Sequence, residues 1–202
     1  MKLYYSPAAC SLAVHILFHE LGVAFEAVQV DLTRHTMRDG GDFYAISPRG
    51  YVPVLELDDG TRYTEGVALL QYVADLDPQQ ALIGPIGSRR RLEVTQWLAF
   101  VSTELHKSFS PCLWDKTTAS STQAAVMKKL AARFGELDQR LATQDYLAEA
   151  FSVADIYAFT ILNWTAFLSI PLDSYPHLQR YLQRVSQRPA ALAALKAEGL
   201  LK

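Results

Sequence analysis

The sequence predicts a two-domain chain, with a mixed α/β domain over residues 1–80 and an all-α domain over residues 88–202. Three observations carry that prediction. Strand and helix signals alternate through the first eighty residues. The stretch "DPQQALIGPIGS", with two prolines and two glycines, then reads as a linker. After Ser88 every patterned segment has the spacing of a helix.

In order, "KLYY" is a buried strand, and "CSLAVHILFHELG" is a helix closed by Gly22 at its C-terminal cap. Residues 25–32, "FEAVQVDL", alternate with the period of a strand, and "VPVLELDDGTRYT" forms two strands around the turn pair Asp59-Gly60. "EGVALLQYVADL" returns to helical spacing through Val67, Leu70, Val73 and Ala74. A β-α-β unit followed by a β-β-α unit is the thioredoxin-like arrangement, a mixed sheet with helices on its faces.

In the second part, Val94, Leu98, Val101 and Leu105 make one apolar helical stripe, and residues 127–141 make a second long helix. "FSVADIYAFTILNW" opens with Ser152 as N-cap, Asp155 at the third helical position and Phe151 and Ile156 as a hydrophobic staple. Its interior is apolar all round, the mark of a helix buried at the centre of a bundle. Pro176 and Pro189 punctuate two further helical segments.

Half of the 202 residues are hydrophobic and a fifth are charged, with a formal net charge of -2. That balance suits a well-filled globular core and gives no basic surface for nucleic acid. The run "SRRRLE" reads as a solvated helix start. Two cysteines, Cys10 and Cys112, are too few and too far apart for a disulfide scaffold, which favours a reducing cytoplasm. The N-terminus lacks the long apolar core of a signal peptide, and no stretch reaches membrane-spanning length.

Cys10 lies where a strand gives way to a helix. In that place the helix's first N–H groups favour a thiolate, although cysteine is also a common small filler of cores. Ala13 stands three residues on, so there is no C-x-x-C pair. A lone thiol cannot resolve its own mixed disulfide and must borrow an external thiol, for which glutathione is the obvious donor. Thr95, Ala99, Thr103 and His106 share a helical face distinct from the apolar stripe, a face suited to line a cleft against the first domain. A lone helical histidine is more often structural. Trp114, Phe109 and Tyr157 suit an apolar pocket, but aromatics at helical spacing are usually core. His15 is expected to pack or bond within its own helix, and Cys112 to be a half-buried bystander.

"YYSPAACSL", "GYVPVLELDDG", "TEGVALLQYVAD", "STELHKSFSP" and "FSVADIYAF", in this order and spacing, resemble the beta-class bacterial glutathione S-transferases over nearly the whole chain. The resemblance implies the glutathione transferase fold, with a glutathione-binding first domain and an electrophile pocket in the helical domain. It implies Cys10 and His106 as catalytic residues. It places glutathione against Cys10, His35, Tyr51, Val52, Pro53, Glu65, Gly66, Thr103, Glu104 and His106. Pro53 is cis in that family, turning Val52 toward the cysteinyl part of the ligand. Glu65 and the helix start at Gly66 hold the ammonium and carboxylate of the glutamyl part, and Glu104 reaches the neighbouring subunit's ligand. His35, Tyr51 and Ala99 depart from the family's frequent lysine, glutamine and asparagine.

Three activities follow as expectations. The first is conjugation of glutathione to a small apolar electrophile, a detoxifying reaction by a cytoplasmic homodimer. It needs glutathione as co-substrate and no cofactor, metal, nucleic acid or membrane. The second is thiol transfer or reductive dehalogenation with Cys10 as nucleophile. The third is a binding protein without turnover.

Overall fold

The computed structural model describes residues 1–201 and divides the chain into two compact units. The first comprises Met1–Gln80 together with the segment from Gln187 onward, and the second is Ala81–Ser186.

In the first unit, β1 (Lys2–Tyr5) leads through a turn into α1 (Leu12–Leu21), followed by β2 (Glu26–Asp31) and β3 (Thr36–Met37). A short 3₁₀ turn at Phe43–Ala45 precedes β4 (Val54–Glu56), β5 (Arg62–Tyr63) and α2 (Gly66–Ala74). The strand order is β3-β2-β1-β4-β5, with β1 and β2 parallel and the other pairs antiparallel. This is the expected mixed sheet. The β1 register sets Leu3 opposite Ala27 and Leu55, and Tyr4 opposite Val28 and Val54. Successive side chains point to opposite faces. Tyr4, Val30, Val52 and Val54 therefore pack with Phe43 on one side, while Leu3 and Leu55 are buried on the other. The β4–β5 turn closes at Gly60, whose φ of 82° a side chain would disfavour. The two-residue strand β3 went unanticipated because "RHTMRDGG" has no alternation to betray it.

The last helix, α9, belongs to this first unit, which corrects the expected extent of the helical domain to residue 202. The cause is specific. Arg188 donates through Nε and Nη2 to the two carboxylate oxygens of Glu20 on α1, at 2.6 and 2.8 Å. α9 (Pro189–Ala197) then buries Ala190, Ala191 and Ala194 as it packs along α1. Small side chains allow that close approach, and nothing in their helical spacing says which neighbour they will meet.

The second unit opens with α3 (Arg89–Phe100), whose Ser88 cap accepts from Arg91 N–H at 3.1 Å. A π-helical segment, Val101–His106, continues it, followed by the single turn α4 (Lys107–Phe109). Next come α5 (Ser120–Leu141), α6 (Val153–Leu162), the short α7 (Trp164–Phe167) and α8 (Pro176–Ser186). Every residue of α6 is buried, as its all-round apolar sequence requires. The Asp155 carboxylate accepts from Ser152 N–H and Oγ–H, Leu147 N–H and Tyr181 O–H, at 2.8 to 3.1 Å. The run at Arg89 to Arg91 is more than a solvated start. Arg90 donates to the carbonyls of Ala81 and Phe151, and Arg91 to that of Gly84, so two of its arginines bind the preceding segment to this unit.

Candidate active site

Cys10 sits in the turn that joins β1 to α1, and the turn is closed from both ends. Ala9 N–H donates to Ser6 C=O, and Leu12 N–H to Ala9 C=O. The Ser11 hydroxyl accepts from Ser6 N–H at 3.2 Å and donates to Ser6 C=O at 3.3 Å. Ala8, two residues before the cysteine, has a φ of 61°, and its N–H donates to the Glu198 carboxylate at 3.0 Å. A left-handed non-glycine residue costs about 1–3 kcal/mol and persists only where its surroundings hold it.

The Cys10 thiol is half-buried and lies 3.4 Å from the carbonyl of Val52, to which it donates. Only a protonated thiol makes that contact, since a thiolate has no hydrogen to give. This differs from the expectation of helix N–H groups aimed at the sulfur. α1 begins two residues later, at Leu12, and the N–H groups of Leu12 and Ala13 are bound to the carbonyls of Ala9 and Cys10.

Val52 precedes a cis proline, Pro53, and both side chains are buried. Its neighbour Tyr51 is fixed through the backbone: Ser47 Oγ accepts from Tyr51 N–H and donates to Tyr51 C=O. The Tyr51 ring is 68% exposed, so its side chain plays no part in that anchoring. His35 packs on Tyr44 with ring centroids 4.5 Å apart and presses on Gly50, where a Cβ would fall 2.7 Å from Nδ1. Gly50 is thus required by both its φ of 66° and the imidazole against it. The buried Nδ1 of His35 has no hydrogen-bond partner among the described residues.

Glu65 occupies the N-cap of α2 with a φ of 69°, and its carbonyl accepts from Ala68 and Leu69 N–H. Strain of this kind concentrates at ligand-binding positions. Gly66 follows as the first helical residue. The Glu65 carboxylate is exposed and pairs with Arg49 Nη1 at 3.2 Å, while Arg49 Nη2 reaches Thr64 Oγ1 at 3.3 Å. Sequence reading passed over Arg49, because nothing in "SPRGYVP" announces a partner for Glu65.

The residues expected from the helical domain gather in the second unit, on the π-helical segment. Such wide turns recur at functional sites because they re-aim side chains. The Thr103 hydroxyl donates to Ala99 C=O at 2.9 Å. Glu104 is gripped by Arg133 at 2.8 Å and Lys129 at 3.3 Å, and these cations hold its carboxyl below the usual carboxylate range. His106 Nδ1 lies 2.6 Å from the Tyr157 hydroxyl, and its ring meets Trp164 edge-on at 5.0 Å. Burial, aided by the Lys107 ammonium, pushes the His106 pKa down to about 4. His106 is therefore neutral at pH 7. When Tyr157 donates to Nδ1, the single imidazole proton sits on Nε2 and is available to a ligand. Tyr157 is thus the group that sets His106 rather than a pocket wall. Phe109 is fully buried core, and Trp114, 44% exposed, meets Trp164 edge-on at 5.6 Å.

The depressed pKa has a consequence for stability. Between about pH 4 and 6.5 the unfolded chain binds a proton at His106 that the folded chain refuses, so acid favours unfolding. This contribution is fully present above pH 6.5 and is lost as pH falls through 4, a swing of about 3 kcal/mol. His106→Gln should remove it. Urea unfolding of wild type and variant from pH 7 to 4 should show the variant gaining about 3 kcal/mol relative to wild type on acidification. Parallel curves would contradict the buried, neutral imidazole.

His15, expected to bond within its own helix, instead reaches Glu198 at 2.8 Å with both side chains buried. Cys112 is half-buried, as expected.

Residues 8–76 match the family description "Glutathione S-transferase, N-terminal domain", and residues 100–189 match "Glutathione S-transferase, C-terminal domain". The chain is 40% identical to glutathione S-transferase GstA of Escherichia coli O157:H7, over 99% of this chain and all of that one. A sphingomonad glutathione S-transferase solved with glutathione is 44% identical with a TM-score of 0.93, each chain covered in full. The beta-class enzyme of Sphingomonas chungbukensis is 42% identical with a TM-score of 0.94, again over the full length of both. The thiol turn, the cis proline and the strained start of α2 occur here in a thioredoxin-like unit, and a helical unit follows. The chain belongs to the glutathione S-transferase family, and its likeness is to the bacterial beta class.

Proposed function

We propose that this protein conjugates glutathione to small apolar electrophiles. The observation that carries the reading is Cys10, whose thiol lies 3.4 Å from the Val52 carbonyl beside cis-Pro53, in the same unit as the strained helix start at Glu65. The strand edge at Val52 suits the cysteinyl part of the tripeptide, pairing its backbone as an added strand would. Glu65 is placed for the ammonium and the first turn from Gly66 for the carboxylate of the glutamyl part. Pro53 and Tyr51 shape the edge, and His35 faces the glycyl end. Thr103, Glu104 and His106 are the helical unit's residues that the family pattern assigns to glutathione, and the neutral His106 has an Nε2–H to offer as a hydrogen bond to a thiolate. Each thiolate so favoured attacks an electrophilic carbon, displacing the leaving group with its bonding electrons.

The present partners of these groups have a cost. Val52 C=O is engaged by Cys10 and Glu65 Oε1 by Arg49, so a ligand that takes the same lone pairs competes with both. Releasing Val52 also frees the Cys10 thiol to ionise. That supports the second reading, in which Cys10 itself forms a mixed disulfide and the enzyme acts as a thiol transferase.

We take the working unit to be a cytoplasmic homodimer, after the family. Among the described residues no helix is long and apolar enough to cross a membrane. Calorimetric titration with glutathione tests the reading. One site per chain is expected, and absence of binding between pH 6 and 8 would remove it in favour of a binding protein for another ligand.

A further inference from the structure

We infer that Glu198, beyond the end of α9, is a positioning residue for Cys10, so that the last few residues of the chain set the reactivity of a thiol near its start. This rests on the proposed reading of Cys10 as a reactive thiol beside glutathione. The Glu198 side chain is fully buried, and both carboxylate oxygens are committed. Oε2 accepts from Ala8 N–H at 3.0 Å, and Oε1 lies 2.8 Å from His15 Nδ1. His15 is buried in turn, its ring 5.2 Å from Tyr5 and stacked on His19 at 5.3 Å, so the carboxylate has no room to swing away.

The acceptor falls where the turn needs one. Ala8 is the left-handed residue of the Cys10 turn. An N–H held by a buried charge makes one of the stronger hydrogen bonds available to a protein. The Ser6–Ser11 bonds close the turn from inside, while Glu198 fixes it from outside, across 190 residues of sequence. Without Glu198, Ala8 N–H loses the buried carboxylate that holds it, and rotation of Ala8 toward negative φ would displace the sulfur two residues on. The groups expected to hold the glutamyl and glycyl ends, at Glu65 and His35, make no contact with Glu198 among the bonds described. Glutathione affinity should therefore survive while thiol chemistry suffers.

Glu20 and Arg188 supply the control. Their ion pair docks the start of α9 on α1, and its two bonds join Arg188 to Glu20 rather than to the Cys10 turn. A purely structural role for Glu198 predicts that loosening α9 by either route has the same effect.

The test uses the full chain. Glutathione disulfide reacts when the Cys10 thiolate attacks one of its sulfurs, forming the protein–glutathione disulfide and expelling one glutathione thiolate. The rate is followed by intact mass with peptide mapping, and glutathione affinity by calorimetry. Glu198→Ala should bind glutathione within about twofold of wild type but react about tenfold more slowly at Cys10. Glu198→Gln keeps an oxygen for Ala8 N–H and an N–H for His15, and should recover most of the rate. Arg188→Ala should lose thermal stability yet react at the wild-type rate. A wild-type rate in Glu198→Ala, or equal slowing in Arg188→Ala, overturns the inference and leaves the proposed function intact. Glutathione binding with no reaction at Cys10 in the wild type overturns it as well. Failure of the wild type both to bind and to react overturns the proposed function, and the inference with it.

Discussion

Replacing Asp155 with alanine is expected to lower the unfolding free energy by about 3 kcal/mol and the melting temperature by roughly 6–12 °C. One buried carboxylate accepts two N–H and two O–H hydrogens, tying the start of α6 to Leu147 and to Tyr181 on α8. Alanine strands the Leu147 N–H and the Ser152 N–H and O–H in the interior, where an unmade bond costs about 1–3 kcal/mol, while Tyr181 O–H keeps the carbonyl of residue 155 at 3.2 Å. The sum is not reached, because removing the carboxylate also relieves its own burial. That burial outweighs the hydrogen bonds and holds the Asp155 pKa up to about 6. The group therefore works against His106: its contribution favours the folded state at low pH and fades as pH rises through 6. Urea denaturation at pH 7 measures the loss. A change below about 1 kcal/mol would mean that the α6 cap is dispensable.

The second large effect concerns the reaction. Cys10→Ala combined with His106→Ala should lower kcat/KM for glutathione and an aryl halide by about 100-fold, equivalent to about 2.7 kcal/mol of transition-state stabilisation. The pair is removed together because both are proposed to favour the thiolate of bound glutathione. Steady-state kinetics at fixed pH, with calorimetry to confirm that glutathione still binds, make the measurement. Conjugation left at the wild-type rate would show that neither residue serves it. If Cys10→Ala alone abolishes disulfide reduction but spares conjugation, the two chemistries share a scaffold and use different sulfurs.

Much of this architecture was legible because each element is locally specified. β1 is apolar on successive residues because both of its faces are buried, and α6 is apolar all round for the same reason. Asp59-Gly60 and the Ser152–Asp155 cap dictate their turns through backbone chemistry that any reader of the chain can apply. Cys10 stood out by its place where a strand gives way to a helix, whereas Val52 and Glu65 were marked only by the resemblance to the family. What escaped was set by distance along the chain. Glu198 meets Ala8 and His15 at separations of 190 and 183 residues, and a glutamate near a C-terminus looks like any solvated charge. The pairing of Arg49 with Glu65 and of His106 with Tyr157 is likewise a product of folding. The π-helical turn at Val101–His106 left no mark either, since its residues suit an ordinary helix and only the wider backbone re-aims them.

The proposed chemistry depends on Cys10 being an accessible, reactive thiol beside a glutathione site. Exposure of the protein to glutathione disulfide, followed by intact mass and peptide mapping, addresses this most directly. One added glutathionyl unit, on Cys10 and not on Cys112, is the predicted result. Modification of Cys112 in its place, or no adduct together with no measurable glutathione binding, would contradict it.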